Sequence, residues 1–313
     1  MRRSVGGYLA LELNKGQVVH SDAIAVNSGR NGLRYILQVR KYSKIYVPYY
    51  TCDVVLTTIE ELGIVYDFYK IDSKLEPIFE WEQIKENEVF LYTNYFGIKD
   101  EYVRKLVKQI KKCIIDNAQA FYADPITGID SFYSPRKFLG VPDGGYVYCD
   151  AETTIEDQDV SYERMSHLLK RLEFDAEEGY GDFVENEKYL DNSPLKRMSV
   201  ITEALIGSAD HQSIKNKRIN NYNYFYKAFK EVNKIDLPLA IDSVPLVFPL
   251  WIDKEVKSTL QSNRCYTATY WSKVLEWTVV DSLEYKLTKE VVYLPIDQNI
   301  AIEELKLIIN LIK

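Results

Sequence analysis

Residues 114–121 read IIDNAQAF: an apolar run of strand length stops on Asp116 and turns at once into small and polar residues. Such a run, with Cys113 ahead of it, reads as a buried strand whose carboxyl end carries the acid. Upstream, helical spacing over about 100–111 and a β-rich run at 88–93 precede it. Further back come a strand at 64–70, a helix at about 52–62, and the short strand Ile45-Tyr46-Val47 stopped by Pro48. Before that strand, Ser28-Gly29 opens a helix carrying Leu33, Ile36 and Leu37. Continuous apolar strands separated by amphipathic helices predict a mostly parallel sheet covered on both faces.

From about 153 to 235 the chain turns to long, charged helical segments, including the acidic stretch Glu173 to Asp191, which reads as a solvated helical face. A last unit opens with Val244-Pro-Leu-Val-Phe-Pro-Leu-Trp251 and closes with Val291 to Ile296 and an amphipathic helix from Ile302 to Ile312. The division drawn is a large domain over 1–235, with its helical extension from about 153, and a small α+β domain over 236–313, packed tightly on the first. With 313 residues, 46% of them hydrophobic, the chain can bury a large core. A net charge of −7 leaves no basic footprint for nucleic acid. No apolar leader core follows Arg2 and Arg3 and nowhere do 18 apolar residues run together, so no membrane association and a cytoplasmic location are expected. Cys52, Cys113, Cys149 and Cys265 and the three histidines lack metal-ligand spacing, so no metal is expected.

In sheets of this kind ligands sit beyond the carboxyl ends of the strands. Three turns there carry chemistry. Asn27-Ser28-Gly29-Arg30-Asn31-Gly32 lies at a helix start, where small residues, free amides and the helix dipole suit an anion and Arg30 adds charge; Ser28 reads equally as a plain cap. Asp116 needs a cationic or multiply donating partner, or a helix to cap. In SFYSPRKFLGVPDGG (131–145), Lys137 stands in mixed apolar company, which favours a neutral, nucleophilic amine, although a surface lysine fits the same stretch.

Taken in order, these pieces resemble the DegT/DnrJ/StrS family of sugar aminotransferases, which belong to the fold-type I, aspartate-aminotransferase-like enzymes. The resemblance covers most of the chain and rests on NSGRNGL (27–33), IYVPYYTCDVV (45–55), LYTNYFG (91–97), IIDNAQAF (114–121), SFYSPRKFLGVPDGG (131–145) and VVYLPID (291–297). It implies a three-layer α/β fold with a mostly parallel central sheet and a smaller C-terminal α+β domain, and pyridoxal 5'-phosphate as cofactor. Lys137 resembles the lysine that holds the cofactor's aldehyde and shuttles the proton, and Asp116 the partner of the pyridinium nitrogen. Gln119 resembles the residue beside the ring and its phenolic oxygen. Ser28, Gly29, Arg30, Asn31 and Ser131 match the phosphate-binding positions.

Three places depart from the family pattern. The aromatic that covers the ring after Pro-x-x-Thr is replaced by Cys52, leaving Tyr50 or Tyr95 to stack. One extra residue separates Ser131 from Lys137, so Ser134 or Arg136 competes for the phosphate role. The Gly-x-Asn-x-Arg segment by which a neighbouring subunit reaches the phosphate survives only as a partial echo in Lys196-Arg197-Met198-Ser199. The resemblance implies amino transfer from an amino acid such as glutamate to a nucleotide-linked keto sugar, for amino-sugar or cell-surface polysaccharide synthesis. It also implies a homodimer with shared active sites. Another PLP reaction, such as sugar dehydration, and a non-catalytic binding or regulatory role are the alternatives.

Overall fold

The structure, a computed structural model, describes residues 5–313. In chain order the elements are β1 (Ile24–Val26), α1 (Gly29–Arg40), β2 (Lys44–Pro48), α2 (Asp53–Glu61), β3 (Val65–Ile71), β4 (Pro77–Ile78), β5 (Glu88–Thr93), α3 (Asp100–Gln109), β6 (Cys113–Asn117), β7 (Asp130–Tyr133) and β8 (Gly145–Tyr148). There follow α4 (Ser166–Glu173), α5 (Ala176–Asp191), α6 (Val200–Ser208), α7 (His211–Phe229), β9 (Val247–Leu250), α8 (Lys257–Ser262), α9 (Val274–Trp277), α10 (Leu283–Glu290), β10 (Val292–Pro295) and α11 (Ile302–Ile312).

Eight strands form one sheet in the order β1-β8-β7-β6-β5-β2-β3-β4. The run β3-β2-β5-β6-β7 is parallel, with antiparallel strands at both edges. Every residue of β5 and β6 is buried, as strands covered on both faces must be. On one face lie α1 and α2, whose Leu33, Ile36, Leu37, Val55 and Ile59 pack on Val47, Leu91, Ile114 and Phe132. The other face shares one continuous core with α3, α7, the antiparallel pair β9–β10 and α11. The C-terminal strands and α11 share that core with the sheet. The boundary drawn at 235 falls just after α7, which itself packs against β9 and α11.

From β2 the chain steps outward to β3, whereas from β5 it steps the other way to β6 and β7. The carboxyl ends of β2 and β5 thus flank the switch point of the sheet, where such folds open a crevice.

Candidate active site

The first wall of the site is the amino end of α1. Ser28 is extended and its hydroxyl accepts the Asn31 N–H at 3.1 Å, while its carbonyl accepts the Gly32 N–H at 3.0 Å. The Gly29 and Arg30 amides, the first two of the helix, have no intrahelical acceptor, and a bridge between Ser28 and Gly144 sets the Gly29 amide against the following turn. The Asp143-Gly144-Gly145 turn seats this end from behind. Gly144 takes a φ of +114° and donates to the Asn27 carbonyl at 2.8 Å. At Gly145 a Cβ would stand 2.5 Å from the Ser28 carbonyl oxygen, so only glycine fits. Asp143 is wholly buried, accepts the Ser199 N–H and hydroxyl at 2.9 and 2.7 Å, and ties the start of α6 to the turn. Burial raises its carboxyl above the ordinary value, against these hydrogen bonds.

Two side chains expected at the phosphate are occupied elsewhere. Asn31 is fully buried, its amide donating to Asn27 Oδ1 at 2.8 Å and to the Pro194 carbonyl at 3.0 Å. Arg30 pairs with Asp191 at 2.8 Å. Both brace the segment that follows α5. Ser131 is a third correction: it does not face α1 at all. Side chains alternate along β7, and it is Phe132 that lies under α1, so near that a Cβ on Gly32 would be 3.0 Å from it. Ser131 points to the opposite face, buried and without a hydrogen-bond partner, beside Asn94, Asp100 and Asn117. The serine at the helix end is Ser134, whose Cβ would lie 3.3 Å from a Cβ on Gly29. The extra residue in this turn moves it into that place.

Asp116 ends β6 in register with Thr93 at the end of β5. Its Oδ1 accepts the Ala118 N–H at 2.8 Å. Burial raises its carboxyl above the ordinary value, opposed first by the charge of Lys137 and then by the Ala118 N–H. Lys137, in the short turn after β7, is exposed and forms no hydrogen bond or ion pair among the described residues. Its apolar sequence neighbours Phe132, Tyr133 and Phe138 turn into the cores, so they do not enclose its amine. Cys52 stands at the cap of α2, its thiol donating to Asp53 Oδ1 at 3.5 Å and accepting from no backbone amide of the first turn; burial pushes its thiol up to about 11, again opposed first by Lys137. The charge of Lys137 thus acts on both Asp116 and Cys52.

Both candidate stacking tyrosines, Tyr50 and Tyr95, are wholly buried core residues, and Tyr95 donates its hydroxyl to the Tyr50 carbonyl at 2.9 Å; Tyr50 lies deeper in the contact with the C-terminal unit. Its hydroxyl meets that of Tyr293, and its ring packs on Tyr95 and Trp271 at 5.6 and 5.1 Å. Tyr95 is the one beside Asp116, whose charge is the largest influence after burial in raising its phenol. Gln119 is buried; its Oε1 accepts the Phe96 N–H at 3.0 Å, and its Nε2 has no partner. It thereby holds the Tyr95-Phe96-Gly97 turn, in which Phe96 and Gly97 both have positive φ. Thr93 was missed from the sequence, although the period-two alternation of β5 places it on the face of Leu91. Arg136 is half-buried and ion-paired with Glu187 of α5, its Nε without a partner among the described residues. Burial pulls its guanidinium down to about 10.

Asp130, Cys149 and Asp150 converge on the far side of the sheet. Arg40 answers both carboxylates, with two contacts to Asp130 at 2.8 and 2.7 Å and one to Asp150. Among the described residues no helix is long and apolar enough to cross a membrane.

No family model and no curated protein matches this chain in sequence. Solved structures match it in three dimensions. A DegT/DnrJ/EryC1/StrS aminotransferase from Brucella abortus superposes with a TM-score of 0.64 at 16% identity, over 93% of this chain and 84% of that one. PseC of Helicobacter pylori, an aminotransferase of pseudoaminic acid biosynthesis, gives 0.63 at 13% identity, over 93% and 85%. NtdA of Bacillus subtilis, with bound cofactor PMP, gives 0.62 at 14% identity, over 92% and 72%. The chain thus has the fold-type I architecture of these enzymes. At such identities the likeness is one of fold, and function is argued from the site.

Proposed function

We propose that this chain is a pyridoxal phosphate-dependent aminotransferase of the DegT/DnrJ/StrS kind. It moves the amino group of an amino acid, glutamate being the expected donor, to a nucleotide-linked keto sugar. What supports the reading is that Asp116 and Lys137 stand at the carboxyl ends of neighbouring strands, β6 and β7, with the lysine's charge acting on the carboxyl, while Ser134 of the same turn lies against the amino end of α1.

The residues present fit the cofactor. Gln119 Nε2 is a buried donor with no partner, suited to the phenolic oxygen. The Gly29 and Arg30 amides and the Ser134 hydroxyl form a cradle for the phosphate. When bound, pyridoxal phosphate supplies an electron sink for the carbanion left at the amino-bearing carbon. Asp116 holds the proton on the ring nitrogen through its carboxylate. Lys137 is exposed and free of internal partners, so its Nζ can bind the cofactor's aldehyde and afterwards take and return the proton at the substrate carbon. Glutamate and keto sugar use the site in turn, in a ping-pong cycle. The working form we propose is a cytoplasmic homodimer.

The test is an absorbance spectrum of the protein with added cofactor, before and after borohydride, followed by amino transfer from glutamate to a nucleoside-diphosphate keto sugar. A visible band that borohydride abolishes while fixing the cofactor on Lys137, with transfer, supports the reading. A colourless protein that ignores the cofactor refutes it and favours a binding role.

A further inference from the structure

The Lys137 side chain has no partner among the described residues, so the place of its amine is set by the turn that carries it. That turn is held on both sides. Ahead of the lysine, the Pro135 carbonyl accepts the Phe138 and Leu139 N–H groups, each at 2.9 Å. Behind it, the Phe138 ring is buried and the Phe138 carbonyl meets two side chains from the far half of the chain. Gln298, just after β10, donates its Nε2 to that carbonyl at 2.9 Å, and Arg218 of α7 reaches it with Nη2 at 3.4 Å.

The two side chains fix each other. A guanidinium only donates, so Arg218 Nε, at 3.0 Å, can face only the amide oxygen of Gln298. That leaves the amide nitrogen for the Phe138 carbonyl, which only accepts. The guanidinium lies 4.6 Å from the centre of the Phe138 ring and donates through Nη1 to the Leu246 and Pro245 carbonyls at 3.2 and 3.4 Å. Arg218 is 2% exposed, and the acceptors it meets are neutral oxygens. Burial pulls it down to about 10, opposed first by Asp297. A buried cation that loses an acceptor is costly, so the fork and the carbonyls it meets move as one piece.

The same fork ties in the turn that Gln119 holds. Leu246, whose carbonyl it meets, donates its N–H to the Phe96 carbonyl at 2.8 Å, and the Phe96 N–H donates to Gln119 Oε1 at 3.0 Å. Gly97 lies so close to this segment that a Cβ would stand 2.5 Å from the Val244 carbonyl oxygen. One run of hydrogen bonds therefore joins Gln119 to the turn of Lys137, and it passes through the C-terminal unit.

We propose that Arg218 and Gln298 are positioning residues for Lys137: through the Phe138 carbonyl, the C-terminal unit sets where the lysine amine stands relative to Gln119 and the cofactor's aldehyde. This rests on the aminotransferase reading above. Neither side chain acts on the reacting atoms. A misplacement of about 1 Å at a reacting group costs roughly a hundredfold in rate, so a loosened turn shows in aldehyde capture before it shows in the fold.

The test is Gln298→Glu, with Asn233→Ala beside it. Glutamate keeps an acceptor for Arg218 Nε and loses the donor to Phe138. Asn233 donates to the Pro249 carbonyl at 2.9 Å and accepts the Trp251 N–H at 2.8 Å, so its loss loosens the C-terminal unit beyond the end of α7, away from the lysine turn. On the full chain one reads the rate at which borohydride-fixable pyridoxal phosphate accumulates on Lys137, hydrogen exchange of the Phe138 and Leu139 amides without cofactor, and the urea midpoint. Gln298→Glu should slow capture and speed the exchange by roughly tenfold or more each, with the midpoint unchanged or higher. Asn233→Ala should lower the midpoint and leave capture at the parent's rate. Capture by Gln298→Glu within about threefold of the parent overturns the positioning role and leaves the aminotransferase reading standing, as does slowing by both variants in step with their lost stability. A parent that captures no cofactor overturns both.

Discussion

Asp116→Asn separates an electronic role from a structural one. The substitution keeps the shape and retains an oxygen to accept the Ala118 N–H, the hydrogen bond that the Asp116 carboxylate makes. It removes a charge that burial already disfavours, since the folded carboxyl is raised above its ordinary value. For an acid so raised the sign runs against the common case. The stability penalty is absent below the unfolded pKa and fully present above the folded one, so at neutral pH the amide relieves a cost. Folding stability should therefore hold or rise slightly, by less than about 1 kcal/mol. Catalysis should respond very differently. Breaking a buried ion pair by removing one partner costs about 3 to 5 kcal/mol, and at 1.36 kcal/mol per factor of ten this becomes roughly two to three and a half powers of ten in rate. The assay is single-turnover amino transfer from glutamate, read alongside borohydride fixation on Lys137 and a urea melt. Cofactor capture should survive while turnover collapses. Turnover within about threefold of the parent would refute the reasoning and leave Asp116 as a cap.

Three further outcomes are expected. Lys137→Ala should abolish the borohydride-fixed cofactor yet change stability by less than about 1 kcal/mol, because an exposed side chain without partners contributes little packing; fixation that persists would sink the assignment. Ser134→Ala should weaken cofactor binding by roughly tenfold or more, as a hydrogen bond to a charged group is worth about 1.5 to 3 kcal/mol, whereas Ser131→Ala, on the other face, should leave the dissociation constant unchanged; the reverse order would contradict the geometry. His20 is lowered from 6.5 to about 4, chiefly by burial, so the unfolded chain binds the extra proton between those values and stability must fall as pH falls through that window. At about 1.36 kcal/mol per pH unit the loss is on the order of 3 kcal/mol at most, and urea midpoints at pH 7 and 4.5 should differ less in His20→Gln than in the parent.

Much of this protein was legible before folding was considered. Apolar continuity in 88–93 and 113–116, the serine before Gly29 and the spacing of Ile302 to Ile312 are local signals, because strand burial, helix capping and helical periodicity act over a few residues. They gave the parallel sheet and put Asp116, Lys137 and the start of α1 at strand ends. What they could not give was the partner of each side chain. Asn31 and Arg30 stand in a turn suited to an anion, yet Ser193, Pro194 and Asp191, some 160 residues away, take their polar groups. Ser131 and Ser134 differ by three positions, and only the pleat of β7 together with the packing of Phe132 under Gly32 decides which of them faces α1. Tyr50 and Tyr95 were both candidates as aromatic residues, and packing buried both, the hydroxyl of Tyr50 meeting Tyr293, on a strand from the far end of the chain, and that of Tyr95 the Tyr50 carbonyl. A residue's type and local period fix what it can do, while long-range packing fixes which of its possible partners arrives first.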